Sequence, residues 1–359
     1  MPISIGAFLI VSLFTLHSGR GVYVDAAPSF PDHRIWQASN FQSLITFGDS
    51  YTDESRMNYV FSHNGNVPPT GTLLPDSNIT ASGGRTWPRY VVQYAGSETA
   101  DSWQPRMTLF NYAVSGAVCS INITQRDFGR PNFPSVLEYQ LPAFLSDEDS
   151  LRANTTLPYF TPPLTASNAV YAIWIGTNDL GVFFKEGQYP DKILNEYIDC
   201  VYRVLDGLYH GGGRVFVLMN VPPLHLAPLY SSVDDLMQEY VALVNAIYKY
   251  RTPYEALNAK RYPNASFATF NVSGLMENMY LHPERYFNGT MPANVTGAEQ
   301  TCVPNASGIG STCVKMYNGT SPDSFMWFDE LHPSTQTDRN IARTFLDVLN
   351  GKSTYAEYW

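Results

Sequence analysis

Five short, nearly unbroken apolar runs punctuate the chain: Leu44 to Phe47, Leu109 to Val114, Ala169 to Ile175, Val215 to Met219 and Phe267 to Phe270. Each is continuous rather than alternating, the pattern of strands buried on both faces of a parallel sheet. Between the third and fourth runs, Ile193, Tyr197, Val201, Val204, Leu205 and Leu208 recur at helical spacing, and Gly211-Gly212-Gly213 marks the stop. Further helices are predicted over Val233 to Asn258 and Asp338 to Leu349. Strands alternating with helices imply βαβ units. The expected architecture is therefore α/β, a three-layer α/β/α sandwich around a central, mostly parallel five-stranded sheet.

Two segments break this rhythm, residues 62–87 and 275–326, both rich in Gly, Pro, Asn and Ser. Structureless stretches of that length in a compact domain are usually functional, so they read as loop insertions in which substrate selectivity is built. No internal repeat and no low-complexity linker interrupts the chain. Residues 27–359 read as one domain, with no separate carbohydrate-binding module.

Composition narrows the partners. The 359 residues are 44% apolar and 15% charged, with a formal net charge of -10 and no basic run to neutralise phosphates. Nucleic acid and anionic membranes are poor partners for such a surface. An uncharged small-molecule or oligosaccharide ester is easier to accommodate, and a monomer is the expected state. Near the N-terminus an apolar run from Ile5 to Leu16 precedes small and polar residues up to Ala27. It is too short to span a bilayer and has the layout of a secretory signal over residues 1–26.

Nine Asn-X-Ser/Thr sequons, at Asn78, Asn122, Asn154, Asn264, Asn271, Asn288, Asn294, Asn305 and Asn318, agree with a secreted, extracellular glycoprotein. So do four cysteines. Cys302 and Cys313 flank a Gly-, Ser- and Asn-rich loop that a disulfide would staple, whereas Cys119 and Cys200 either pair or remain buried thiols.

Ligands of open parallel sheets bind at the carboxyl ends of the strands. The first run ends in Gly48-Asp49-Ser50, which makes Ser50 either a helix cap or a nucleophile held at the rim. After the second run, Gly116 could bring a backbone N–H close to a substrate. After the third, the amide of Asn178 can donate to a developing oxyanion. Near the C-terminus, Asp329 stands three residues before His332, the spacing with which a carboxylate orients a general base. His282-Pro283 echoes His332-Pro333, but position 279 is Met, so a structural role is expected there. Asp49 and Asp179 are expected to shape their turns by accepting backbone hydrogen bonds. Trp87 and Trp174, close in sequence to these segments, are the aromatics expected to pack on a sugar ring. None of the seven histidines falls in a zinc-binding H-E-x-x-H spacing, and no C-x-x-C occurs.

These four segments, in this order, resemble the blocks of the SGNH, or GDSL-type, hydrolases, whose sandwich is flavodoxin-like. The resemblance spans nearly the whole presumed mature chain. It implies that Ser50 is the nucleophile, with Asp329 and His332 as its acid–base partners. It further implies that the N–H groups of Ser50 and Gly116, with the Asn178 side chain, form the oxyanion hole, and that no metal or cofactor is required. No G-x-S-x-G elbow of the α/β-hydrolases is present. The stretches Phe47 to Glu54, Gly71 to Pro75 and Gly83 to Pro88 are similar to secreted fungal acetylesterases of carbohydrate esterase family sixteen. That likeness implies removal of acetyl groups from hemicellulose oligosaccharides. Two readings compete: a GDSL-type lipase or phospholipid acyl-hydrolase, which needs an extended apolar groove or a lid, and a non-catalytic binding protein, which has no need to keep all five site residues.

Overall fold

The computed structural model describes residues 35–98, 103–126, 133–152, 159–258, 260–304, 311–316 and 319–359. The leader expected over residues 1–26 and the sequons at Asn154, Asn305 and Asn318 lie outside the described residues. Of the other sequons, Asn78, Asn122, Asn264, Asn271 and Asn288 are exposed, and Asn294 is half-buried.

The five apolar runs all become strands of one sheet: β1 (Ser43–Gly48), β2 (Thr108–Asn111), β3 (Ala169–Trp174), β4 (Val215–Met219) and β5 (Ser266–Phe270). Every residue of β1, β3 and β4 is buried, which is why these segments carry no polar alternation. The sheet has six strands rather than the expected five. A short strand near the C-terminus, β6 (Ala356–Tyr358), pairs antiparallel with β5 and caps that edge, giving the order β6-β5-β4-β3-β1-β2 with every other pair parallel. Three residues of mixed polarity leave no periodicity to read, so β6 was invisible before its partner was known.

Helices cover both faces. They are α1 (Arg56–Ser62), α2 (Trp87–Ala95), α3 (Leu141–Arg152), α4 (Thr177–Glu186), α5 (Pro190–His210), α6 (Asp234–Ala256), α7 (Val272–Leu281) and α8 (Thr335–Leu349). Side chains alternate across a strand. In β3, Tyr171 accordingly meets Phe144 of α3 at 5.6 Å between ring centroids, while Trp174 on the other face meets Trp87 of α2 at 6.3 Å. Helix α5 buries Leu194, Tyr197, Val201, Val204, Leu205 and Leu208, the stripe that its spacing predicts, and Gly211 is its C-cap. It packs beside α6 through a hydrogen bond between the hydroxyls of Tyr197 and Tyr248 and one from Tyr202 to Thr252. Among the described residues, no helix is long and apolar enough to cross a membrane.

The two segments expected to be loops differ. Between Ser62 and Trp87 the chain runs as turns without helix or strand. Residues 275–326, by contrast, hold most of α7 and four short strands: Asn294–Ala298 pairs with Phe325–Trp327, and Gln300–Pro304 with Ser311–Lys315. Asn294–Ala298 is mostly half-buried and bears Asn and Gly, and Thr312 to Lys315 are exposed, so their sequence resembles a loop while their backbone pairs; Phe325–Trp327 is buried. Cys302 is bonded to Cys313 across the second pair, and Cys119 is bonded to Cys200 of α5, which settles the pairing left open above.

Candidate active site

The strand order reverses between β1 and β3, and the crevice beyond their carboxyl ends is where an open α/β sheet receives a ligand. Chain β1 enters it through Gly48. A side chain there would place its Cβ 2.3 Å from the Trp174 carbonyl of β3, so only glycine fits. Gln140 clasps the same residue, accepting from its N–H at 2.9 Å and donating to its carbonyl at 2.7 Å.

Asp49 then turns the chain by accepting the Tyr51 N–H at 3.0 Å. Ser50 follows, only 5% exposed. The amides that open α1 are taken by Asp53, which accepts from Ser55, Arg56 and Met57. Ser50 caps nothing. Its Oγ lies 2.9 Å from Nε2 of His332.

His332 is held from behind and from both sides. Both carboxylate oxygens of Asp329 stand 2.9 Å from Nδ1, and Oδ1 also accepts the backbone N–H groups of Leu331 and His332 at 2.9 and 2.8 Å. The Tyr51 hydroxyl donates to the Leu331 carbonyl at 2.6 Å, tying this loop to the serine turn. Buried Trp327 anchors the preceding strand and donates from its indole to Val295. Burial pushes the Asp329 carboxyl up, but His332 and the two amides outweigh it, and the group sits below its ordinary value. A carboxylate that stays ionised is what keeps a proton on Nδ1 and leaves Nε2 free to accept one.

The opposite wall is the loop after β2. Gly116 has φ +86°, a conformation that favours glycine, and the flanking residues are fixed by buried carboxylates. Asp53 accepts both the N–H and the hydroxyl of Ser115, at 2.8 and 2.9 Å. Asp179 accepts the Cys119 N–H at 3.2 and 3.1 Å and the Thr124 hydroxyl at 2.6 Å. Asn178, the residue before it, donates one amide hydrogen to the Ala117 carbonyl at 2.9 Å, which fixes the amide plane and leaves its second hydrogen available. The backbone N–H groups of Ser50 and Gly116 have no acceptor among the described residues. Two N–H groups without acceptors and the second amide hydrogen of Asn178 thus remain available as donors on the loops beside the serine bonded to His332.

Beneath this rim lies an ionisable cluster. Asp49 is wholly buried, and burial pushes its carboxyl up to about 7 against the pull of the Tyr51 amide and His332. Burial likewise raises Asp179 to about 6, opposed by Thr124, Cys119 and Arg126. Asp53 and Arg126 were not singled out from sequence. The signal for Asp53 was its place three residues after Ser50, at the start of a helix that was itself too short to recognise. One expectation needs correction. Trp87 and Trp174 are 0% and 2% exposed and donate from their indoles to Thr52 and Asn220, so neither can face a sugar. His282 ends α7, as its lack of a carboxylate partner suggested.

Residues 44–345 match the model of the GDSL-like lipase/acylhydrolase family. The chain belongs to this family. It is thus a GDSL-type carboxylic ester hydrolase. Among similar proteins, an acetylesterase of Hypocrea jecorina is 35% identical over 346 residues, covering 89% of this chain and 92% of the relative. An acetylesterase of Thermothelomyces thermophilus is 28% identical over 316 residues, covering 86% and 88%. The crystal structure of an acetylxylan esterase from Geobacillus stearothermophilus aligns over 86% of this chain and 94% of that one at 15% identity, with a TM-score of 0.36.

Proposed function

We propose that this GDSL-type hydrolase acts outside the cell to remove O-acetyl and similarly short acyl groups from carbohydrates such as hemicellulose oligosaccharides. The observation that carries the reading is the relay from Asp329 through His332 to Ser50, with 2.9 Å at each step. Ser50 Oγ attacks the ester carbonyl as His332 Nε2 takes its proton. The tetrahedral oxyanion is received by the N–H groups of Ser50 and Gly116 and by Asn178. His332 then delivers the proton to the leaving sugar oxygen, and the acyl group remains on Ser50. Water, deprotonated by the same nitrogen, releases the acid and restores the serine.

Packing next to the nucleophile supports a short acyl group. Tyr51 meets Trp174 at 5.2 Å, Trp174 meets Trp87 at 6.3 Å, and Trp87 meets Phe345 at 4.8 Å, all of them buried. A close-packed aromatic floor of this kind suits a short acyl group better than a long alkyl tail. The names of the two acetylesterases support the acetyl group, and the two disulfides with exposed sequons support the oxidising, extracellular setting. Initial rates on aryl acetate, butyrate and octanoate and on acetylated xylo-oligosaccharides test the proposal. A steep decline from acetate to octanoate, with acetate released from the saccharides, is expected. Faster turnover of the octanoate would instead favour a lipid acyl-hydrolase.

A further inference from the structure

The turn that carries Asp329 and His332 is closed on itself. At its base the Phe328 N–H donates to the His332 carbonyl at 2.8 Å, and on its inner side Asp329 accepts the Leu331 and His332 amides. A loop bonded in this way moves as a unit. Its inner bonds fix His332 against Asp329 but do not set where the unit points. That direction matters, because Ser50 stands on a different element, 282 positions away, and its Oγ lies 2.9 Å from His332 Nε2. A hydrogen bond is lost beyond about 3.5 Å, so a displacement of roughly 0.6 Å is enough to separate the base from the nucleophile.

Contacts from outside set the direction, and among the described residues three reach the tip of the turn. The Tyr51 hydroxyl donates to the Leu331 carbonyl at 2.6 Å, and the Leu229 N–H donates to the Glu330 carbonyl at 2.8 Å. Both acceptors are backbone oxygens, which any residue at positions 330 and 331 would supply. The third contact depends on a side chain. Both carboxylate oxygens of half-buried Glu330 accept the N–H of Cys302, at 3.3 and 3.2 Å.

The donor is itself held in place. Cys302 lies in Gln300–Pro304, which pairs antiparallel with Ser311–Lys315, and it is opposite and bonded to Cys313. The Cα atoms of the two cysteines are 4.1 Å apart, the close spacing of an antiparallel pair whose N–H groups point away from the partner strand. The Cys302 N–H is therefore an edge donor that needs an acceptor from outside the hairpin, and Glu330 supplies it. The root of the same hairpin is bonded to the strand that leads into the turn, the Glu299 and Gln300 amides donating to the Trp327 and Phe328 carbonyls at 3.0 Å each. Hairpin and turn are thus joined twice, by backbone at the base and by one side chain at the tip.

We infer that Glu330 is a positioning residue for the reaction: through the Cys302 N–H it couples the disulfide-closed hairpin to the turn and holds His332 within reach of Ser50. This role rests on the proposed relay of Asp329, His332 and Ser50, and His332→Ala separates the two. Parent turnover in His332→Ala overturns the relay and the role with it, whereas lost turnover there beside an unaffected Glu330→Ala overturns the role alone.

The full chain bearing Glu330→Ala or Glu330→Gln is assayed for kcat and KM on aryl acetate. The first-order rate at which a fluorophosphonate inactivates each variant, by phosphonylating Ser50 with loss of fluoride, is measured beside them. That rate needs the same bond between His332 and Ser50, and it does not depend on how much of the protein is folded. Glu330→Ala is expected to lower kcat and the inactivation rate together, by about tenfold, with KM scarcely moved. Glu330→Gln keeps an oxygen of the same reach and drops the charge, so both rates should stay within about twofold of the parent. Replacing Cys302 and Cys313 by serine should lower kcat in the same sense and add little once Glu330→Ala is present. An inactivation rate in Glu330→Ala close to that of the parent overturns the role. So does an equal loss in both Glu330 variants, which would assign the effect to charge. A raised KM with kcat unchanged overturns it in favour of contact with the substrate. Losses that multiply in the combined variant overturn the coupling to the hairpin.

Discussion

Asp329→Asn isolates the orientation of His332 from the folding of its loop. The carboxylate makes two kinds of contact: Oδ1 accepts the Leu331 and His332 amides, and both oxygens approach Nδ1. An asparagine can keep Oδ1 on the two amides, so the turn stays closed. Its NH2 then faces Nδ1, which must become an acceptor, and the ring proton moves to Nε2. The nitrogen 2.9 Å from Ser50 would then donate where it must accept. Losing a positioned general base costs about 10²- to 10⁴-fold in rate, or about 3–5.5 kcal/mol of barrier. The expected result is a fall in kcat of that size on aryl acetate, with KM scarcely moved and an unchanged melting temperature. Asp329→Ala serves as the contrast, because it also strands two loop amides at about 1–3 kcal/mol each and should lower stability as well. If Asp329→Asn retains kcat within tenfold of the parent, the carboxylate does not set the tautomer, and the relay proposed here is wrong.

Three further outcomes follow from the same geometry. Asn178→Ala removes one oxyanion donor and should lower kcat by about 10²- to 10³-fold with little change in KM; equal losses in both would indicate a general collapse of the loop. Replacing Cys119 and Cys200 by serine opens a closure of 81 residues and should cost about 4–5 kcal/mol in urea unfolding, against about 3 kcal/mol for the 11-residue closure of Cys302 and Cys313; the reverse order would refute the loop-entropy account. Asp49, raised from 3.8 to about 7, holds its proton in the folded state after the unfolded chain has released its own, so it favours folding at acid pH and ceases to as pH rises from about 4 to about 7. Asp49→Asn should therefore flatten the decline of melting temperature between pH 5 and pH 8, and an unchanged slope would assign that decline to other groups.

The sheet was legible because burial on both faces leaves a run of apolar residues that no other element imitates at that length. Val215–Met219 was read to the residue, and α5 to within three residues at its start. Helices α1 to α4 were missed for separate reasons. Helix α1 is seven residues long, α2 opens on Trp87-Pro88, α3 carries a weak stripe, and α4 begins in Thr177-Asn178-Asp179, which reads as a turn. The five candidate residues could be named because Ser50, Gly116 and Asn178 stand within three residues of the end of an apolar run and Asp329 lies three residues before His332, which precedes a proline. What holds them could not. Asp53 reaches Ser115 over 62 positions and Asp179 reaches Cys119 over 60, and such partners carry no spacing signal. Trp87 and Trp174 misled because closeness in sequence to a site says nothing about which face of the sheet a ring occupies.

The carboxylate of Asp53 serves two elements at once, capping the start of α1 and gripping Ser115. The turn that presents Ser50 and the loop that presents Gly116 are thereby joined across the crevice by one buried group, independently of the long insertion between them. Residues 63–79, mostly exposed, can thus vary without changing the spacing between Ser50 and Gly116, whereas Ser82 and Thr86 are buried and Gly83 packs against Phe328. A chain built this way can acquire new substrates through its surface loops while its reaction centre keeps one geometry.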